Sequence, residues 1–351
     1  RSSLARCGQS HRKNIPHMTS MAPWIHRQSL DLLAQQGHAW LLQGPSGLGQ
    51  YALGTALTSA WLCESEHAST KGACGQCGSC HALSVHTHAD LLVLMPETIL
   101  LALGWPLSEK AQSEIDNKTR KPSKEIRIDA MRDAIEFSQR TNARGKGKAV
   151  LVFPAERMNH VTANALLKTL EEPPGDVKIV LATEAAHQLL PTIRSRCLSH
   201  TMAWPSTPEA VTWLQGQGLS SEDAHVLLKV AGGRPDEVLK QRSLGQTMPW
   251  WSKFPKAMLA GDASHCSDLP PSEVIDALQK LCHDLLMVQT QASLRYFNEA
   301  DLPQLKVSSG QLTAWFKRLS QAAKTSEHPF NAGLMLEALC TEAREVMNSA
   351  T

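Results

Sequence analysis

Short apolar runs alternate with helical patterns through the N-terminal part of the chain, and this alternation limits the fold more than any other feature. Ala39–Gln43 (AWLLQ), Asp90–Met95 (DLLVLM), Ala149–Phe153 (AVLVF) and Ile179–Ala182 (IVLA) are continuous rather than every-other apolar runs. A strand of that kind is buried on both faces, which predicts a parallel sheet covered by helices on each side. The intervening helical patterns are Tyr51–Leu62, Ile126–Arg140 (Ile128, Met131, Ile135 and Phe137 near core spacing) and the stretch carrying Leu166, Leu167 and Leu170. From residue 245 the pattern is helical throughout, over Val274–Thr290, Leu312–Thr325 and Asn331–Asn348. A chain of 351 residues has room for two or three domains at ~150 residues each.

The first strand leads into Gly44-Pro-Ser-Gly47-Leu-Gly49 and then a helix. Strand, glycine loop, helix is the setting in which backbone N–H groups and a helix N-terminus cradle phosphate. Such a loop also needs a lysine for the phosphates and a Ser or Thr hydroxyl for Mg²⁺. Here those positions hold Gln50 and Tyr51. The strand ending at Phe153 should be closed by the acid pair that holds Mg²⁺ and polarises water, and it is closed by Phe153-Pro154. Neither side chain ligates a metal or activates water. Glu156 comes two residues late and reads as a solvated or helix-capping acid. Two separate losses favour a degenerate phosphate loop over a glycine turn that never met nucleotide. They argue against ATP hydrolysis and leave open weak binding through the backbone.

Cys63, Cys74, Cys77 and Cys80 form C-x10-C-x2-C-x2-C. The two-residue gaps turn neighbouring sulfurs toward one point, and four thiolates suit tetrahedral Zn²⁺. Gly72, Gly75 and Gly78 permit the tight turns, while His67, His81, His86 and His88 are read as surface residues. With no open coordination position, the site would be structural. Nine cysteines without a secretory signal point to a reducing compartment. The opening stretch RSSLARCGQSHRKNIPH lacks a hydrophobic run and is read, as residues 1–20, as a disordered tail.

Residues 97–124 look like an inserted solvated loop, with Trp105-Pro106 and a basic group of Lys118, Arg120, Lys121 and Lys124 that a DNA backbone could contact. Cys197 reads as a buried single thiol. Arg196, in Ser195-Arg196-Cys197, reads by itself as a surface arginine near a sheet edge.

ALLKTLEEPP (165–174) followed by SRC (195–197) resembles the bacterial DNA polymerase III clamp-loader family, and within it the delta-prime branch. The resemblance covers roughly residues 21–345, adding the glycine loop, the four cysteines, GGRP (232–235), RYF (295–297) and HPFNAGLMLEAL (328–339). The family's first cysteine gap is usually shorter, and the extra residues within 64–73 would lengthen a loop. The resemblance implies an AAA+ domain over 21–204 with a zinc module at 63–80. A helical lid over 205–243 and an all-helical collar over 244–351 would follow. It implies a cytoplasmic, non-hydrolysing subunit of a hetero-pentamer with gamma/tau and delta subunits, which loads the sliding clamp on primed DNA during replication. Nucleotidyl transfer would belong to the polymerase holoenzyme, not to this chain. Arg196 would be the arginine finger given to the neighbouring ATPase, and Arg234, at the Gly-Gly break, a structural residue beside an empty site.

Two other classes stay in view. An active gamma/tau-type ATPase shares the zinc module, but Gln50, Tyr51, Phe153 and Pro154 oppose it. A zinc-dependent nucleic-acid-binding module is opposed by a net charge of only +2, from 35 basic and 33 acidic residues, and by the lack of a basic face studded with aromatics. No apolar run reaches the ~18 residues of a membrane span.

Overall fold

The computed structural model describes residues 21–326 and 331–349. The tail expected over 1–20, and His328–Phe330 of the C-terminal motif, lie outside them. The chain divides into two compact units between Ala203 and Trp204.

The first unit holds β1 (Ala39–Gln43), β2 (Leu91–Leu94), β3 (Lys148–Val152), β4 (Val177–Thr183) and β5 (Leu198–Thr201) in one sheet of order β2-β3-β4-β1-β5. All pairs are parallel, with Leu92 opposite Val150, Val150 opposite Ile179, and Leu41 opposite Leu181 and Ser199. Its helices are α1 (Pro23–Leu33), α2 (Gln50–Leu62), α3 (Ala68–Lys71), α4 (Gly78–Ser84), α5 (Glu97–Ala102), α6 (Glu109–Asp116), α7 (Ile128–Gln139), α8 (His160–Glu171) and α9 (Pro191–Arg194). Side chains alternate across a strand, so the continuous apolar runs supply both faces at once. Ala39, Leu41, Val150, Val152, Ile179 and Leu181 pack with Met131 of α7 and Leu166 and Leu170 of α8. The other face carries Trp40, Leu42, Leu151 and Val180, all buried, beneath α2. Gly54 lets α2 lie that close, since a Cβ there would meet Leu151 Cδ1 at 2.6 Å.

The parallel α/β sheet is therefore the expected one, with β5 added at an edge. Half of the expected solvated loop at 97–124 is instead helical, as α5 and α6.

The second unit consists of α10 (Thr207–Gly216), α11 (Ser221–Val230), α12 (Pro235–Ser243), α13 (Met248–Ala260), α14 (Pro271–Gln289), α15 (Ser309–Thr325) and α16 (Ala332–Asn348). One core runs through it from Ala210 to Met347, centred on Trp251, Phe254 and Trp315, so segments 205–243 and 244–351 share their interior. The Asp284 carboxylate accepts the N–H groups of Arg295, Tyr296 and Phe297 at 3.1, 2.8 and 2.7 Å and fixes the RYF turn. Among the described residues no helix is long and apolar enough to cross a membrane.

Candidate functional site

The glycine loop connects β1 to α2, with Gly47 at φ +84° and Gly49 at φ +92°. Only glycine adopts such angles without steric cost. Gln50 opens α2 and is 2% exposed. Its Nε2 donates to the carbonyls of Gly44 and Pro45, both at 2.8 Å. The side chain that replaces the phosphate-binding lysine is thus spent on the loop itself.

Tyr51, at the metal-hydroxyl position, lies with its ring 5.5 Å from that of Phe153, at the acid-pair position. The Tyr51 hydroxyl accepts from Trp105 Nε1 at 2.8 Å. Burial pushes the Tyr51 phenol up from its ordinary pKa, against the lowering effect of the Trp105 bond. Trp105 in turn stacks on His86 at 3.8 Å. The substituted positions are thus packed together, with an indole from the insertion holding the phenol.

Glu156 departs from the expected solvated or helix-capping acid. Its carboxylate accepts from the Thr183 hydroxyl at 2.7 Å and the Glu184 N–H at 3.1 Å, fastening the end of β4.

The four cysteine sulfurs lie within 4.8 Å of one another. Cys63 to Cys77 and Cys74 to Cys80 are each 3.9 Å apart, and Cys80 to Cys63 is 3.7 Å. A tetrahedron with Zn–S bonds of ~2.3 Å has edges of about 3.8 Å, so the donors fit a single zinc ion. Backbone N–H groups face the sulfurs, from Cys74 to Cys63 at 3.3 Å and from Cys80 to Cys77 at 3.4 Å. The N–H groups of Gln76 and Cys77 bring the Cys74 thiol down to about 6. Cys77 also caps α4, which begins at Gly78, while Gly72 and Gly75 take the left-handed turns. Glu64 braces the cluster, accepting from Ser79 N at 3.0 Å, Ser79 Oγ at 2.8 Å and Arg144 Nη1 at 2.9 Å.

His67 and His81 are exposed, as expected. His88 is not a surface residue: it is 6% exposed, and its Nδ1 accepts from the Asp90 N–H at 3.1 Å. His86 is half-buried against Trp105. Asp90 is buried and links loop to sheet, accepting from the N–H groups of Ala143 (2.7 Å) and Arg144 (2.9 Å) beside the buried Lys148 ammonium.

Arg196 follows α9, and its side chain is 31% exposed. It donates through Nε to Glu171 at 2.7 Å and through Nη1 to the Thr192 carbonyl at 2.8 Å. The half-buried Cys197 thiol is pushed up to about 12 by burial. Within the basic group at 118–124, Arg120 is paired with Glu97 and Glu114, while Lys118, Lys121 and Lys124 are exposed. In the second unit Arg234 donates through Nε to the Ala231 carbonyl at 2.8 Å, at the start of α12.

Residues 31–204 match the family described as "DNA polymerase III, delta subunit". The chain is 37% identical over 234 residues to DNA polymerase III subunit delta' of Pseudomonas aeruginosa, an alignment covering 65% of this chain and 63% of that protein. It is 34% identical over 223 residues to subunit delta' of Escherichia coli, covering 62% and 59%. The similarity over residues 31–204 supports membership of the DNA polymerase III delta-prime family.

The matched stretches span a little under two thirds of those relatives' length. The tau subunit of Salmonella typhimurium is also similar, at 32% identity over 161 residues, 46% of this chain and 21% of tau. The loop, the cysteines and Arg196 all lie within the matched 31–204 region. Sequence reasoning assigns no role to Trp105 and Glu171. Glu171 is visible as an acid at the end of ALLKTLEEPP, but its partner lies 25 positions away. Trp105 lies 54 positions from Tyr51, and no local spacing announces that bond.

Proposed function

We propose that this chain is a non-hydrolysing delta-prime subunit of a bacterial clamp loader and supplies Arg196 in trans to the ATP site of an adjoining gamma/tau subunit. The observation that carries the reading is the self-filled nucleotide position. Gln50 bonds its own loop, and Tyr51, Phe153 and Trp105 occupy the places of metal and water chemistry. An arginine neutralises charge on a transferring phosphoryl group, and its planar fork suits phosphate oxygens. The chain would sit in a hetero-pentamer with gamma/tau and delta, helping to place the sliding clamp on primed DNA in the cytoplasm. Residues 205–243 would serve as lid and 244–351 as collar. Zinc, held by Cys63, Cys74, Cys77 and Cys80, would tie the end of α2 to α4 and take no part in chemistry.

The test is ATP hydrolysis and clamp loading by the reconstituted loader with Arg196→Ala. With assembly intact, hydrolysis at the neighbouring site should fall by ~10³-fold or more. Undiminished hydrolysis would show that Arg196 is a surface residue. The similarity to tau keeps one competing reading, an active ATPase, which ATP turnover by the isolated chain would support.

A further inference from the structure

Arg196 is held on two sides of its guanidinium, by the Glu171 carboxylate and by the Thr192 carbonyl. A guanidinium carries five N–H groups in one plane. Its Nε and Nη2 both donate to Glu171 Oε1, and Nη1 donates to the Thr192 carbonyl, with Ser195 Oγ at the 3.5 Å limit. Nη2 shares Glu171 Oε1 with Nε along the side edge, so its second N–H lies on the terminal edge of the plane, beside Nη1. That edge is the one a phosphate oxygen can meet. The side edge, meanwhile, is anchored to rigid elements. Glu171 is the last residue of α8, whose Leu166 and Leu170 are buried beneath the sheet. Thr192 belongs to α9, which is pinned by the fully buried Ile193.

We propose that Glu171 is a positioning residue for Arg196: it fixes the side edge of the guanidinium so that the terminal edge faces the phosphoryl group of the adjoining subunit. This rests on the reading of Arg196 as a finger that acts in trans. Before assembly the carboxylate removes the rotational freedom of a long side chain, so less is lost when phosphate is met. Glu171 is 47% exposed, and an exposed ion pair adds little to folding. Its removal should therefore leave assembly intact.

The experiment compares Glu171→Ala, Glu171→Gln, Arg196→Ala and the Glu171→Ala/Arg196→Ala double variant in the reconstituted loader with clamp and primed DNA. Glu171→Ala should lower kcat for ATP roughly tenfold with KM little changed, a fraction of the ~10³-fold lost with Arg196→Ala. Glu171→Gln, which keeps an acceptor, should lose less. In the Arg196→Ala background Glu171→Ala should cost nothing more, as coupled residues require. Unchanged or raised hydrolysis with Glu171→Ala would overturn the proposal, as would a loss that persists in the double variant. Failure of the finger itself is read separately, as normal hydrolysis by Arg196→Ala.

Discussion

Gln50 stands where a phosphate loop carries its lysine, and a neutral amide changes what the loop can respond to. Bonded to Gly44 and Pro45, it offers no charge to an arriving phosphate. On the proposed reading, the double variant Gln50→Lys/Tyr51→Thr should show no ATP hydrolysis in a single-turnover assay, because Phe153 and Pro154 still stand at the acid-pair positions. The loss of lysine and acids is legible residue by residue. The packing that replaces them is not, since Tyr51 meets Phe153 and Trp105 only after the sheet assembles. The role of Glu156 is hidden for the same reason, its partner Thr183 lying 27 positions away. Acid–base behaviour at this scale is clearest at Glu97. Its hydrogen bonds from the Arg120 guanidinium, and then from the Ser123 N–H, hold the carboxyl below its ordinary value. A group depressed in the folded state stabilises it fully above the ordinary carboxylate pKa of ~4.3, and that contribution disappears as pH falls through the lower folded value. Protection of residues 97–124 from hydrogen exchange, taken relative to the intrinsic amide rate at each pH, should fall on acidification below ~4.3, and Glu97→Gln should show the lower protection already at neutral pH.

At the scale of elements, continuous apolar runs make β1 to β4 readable from the amino-acid order alone. β5 (Leu198–Thr201, LSHT) is not, because an edge strand needs little burial, and three of its four side chains are exposed. The 97–124 stretch reads as solvated loop because its polar composition hides two short helices, one capped by Ser108. The four-cysteine cluster is the most legible element, since ligand type and spacing are local. Its prediction is correspondingly direct. Cys80→Ser or a strong chelator should remove a single zinc ion, measured by elemental analysis, and lower thermal stability. A ligand held at 1,000 times its Kd contributes ~4 kcal/mol, so a loss of that order is expected. Equal melting with and without the metal would show that the cluster binds none.

For the whole molecule, each unit has its own core, and the residues from Ala203 to Thr207 are largely exposed. Limited proteolysis should cut there first and leave two resistant fragments, read by mass spectrometry. The Gln50 contacts bear on more than the loop itself. A phosphate loop ordinarily makes its protein a reporter of the cell's energy charge, changing shape as ATP gives way to ADP. Here the carbonyls of Gly44 and Pro45 are bonded by the protein's own Gln50 amide, a contact made within the chain itself. On the proposed reading, a subunit held in this way would be a fixed datum against which the movement of nucleotide-cycling neighbours becomes displacement.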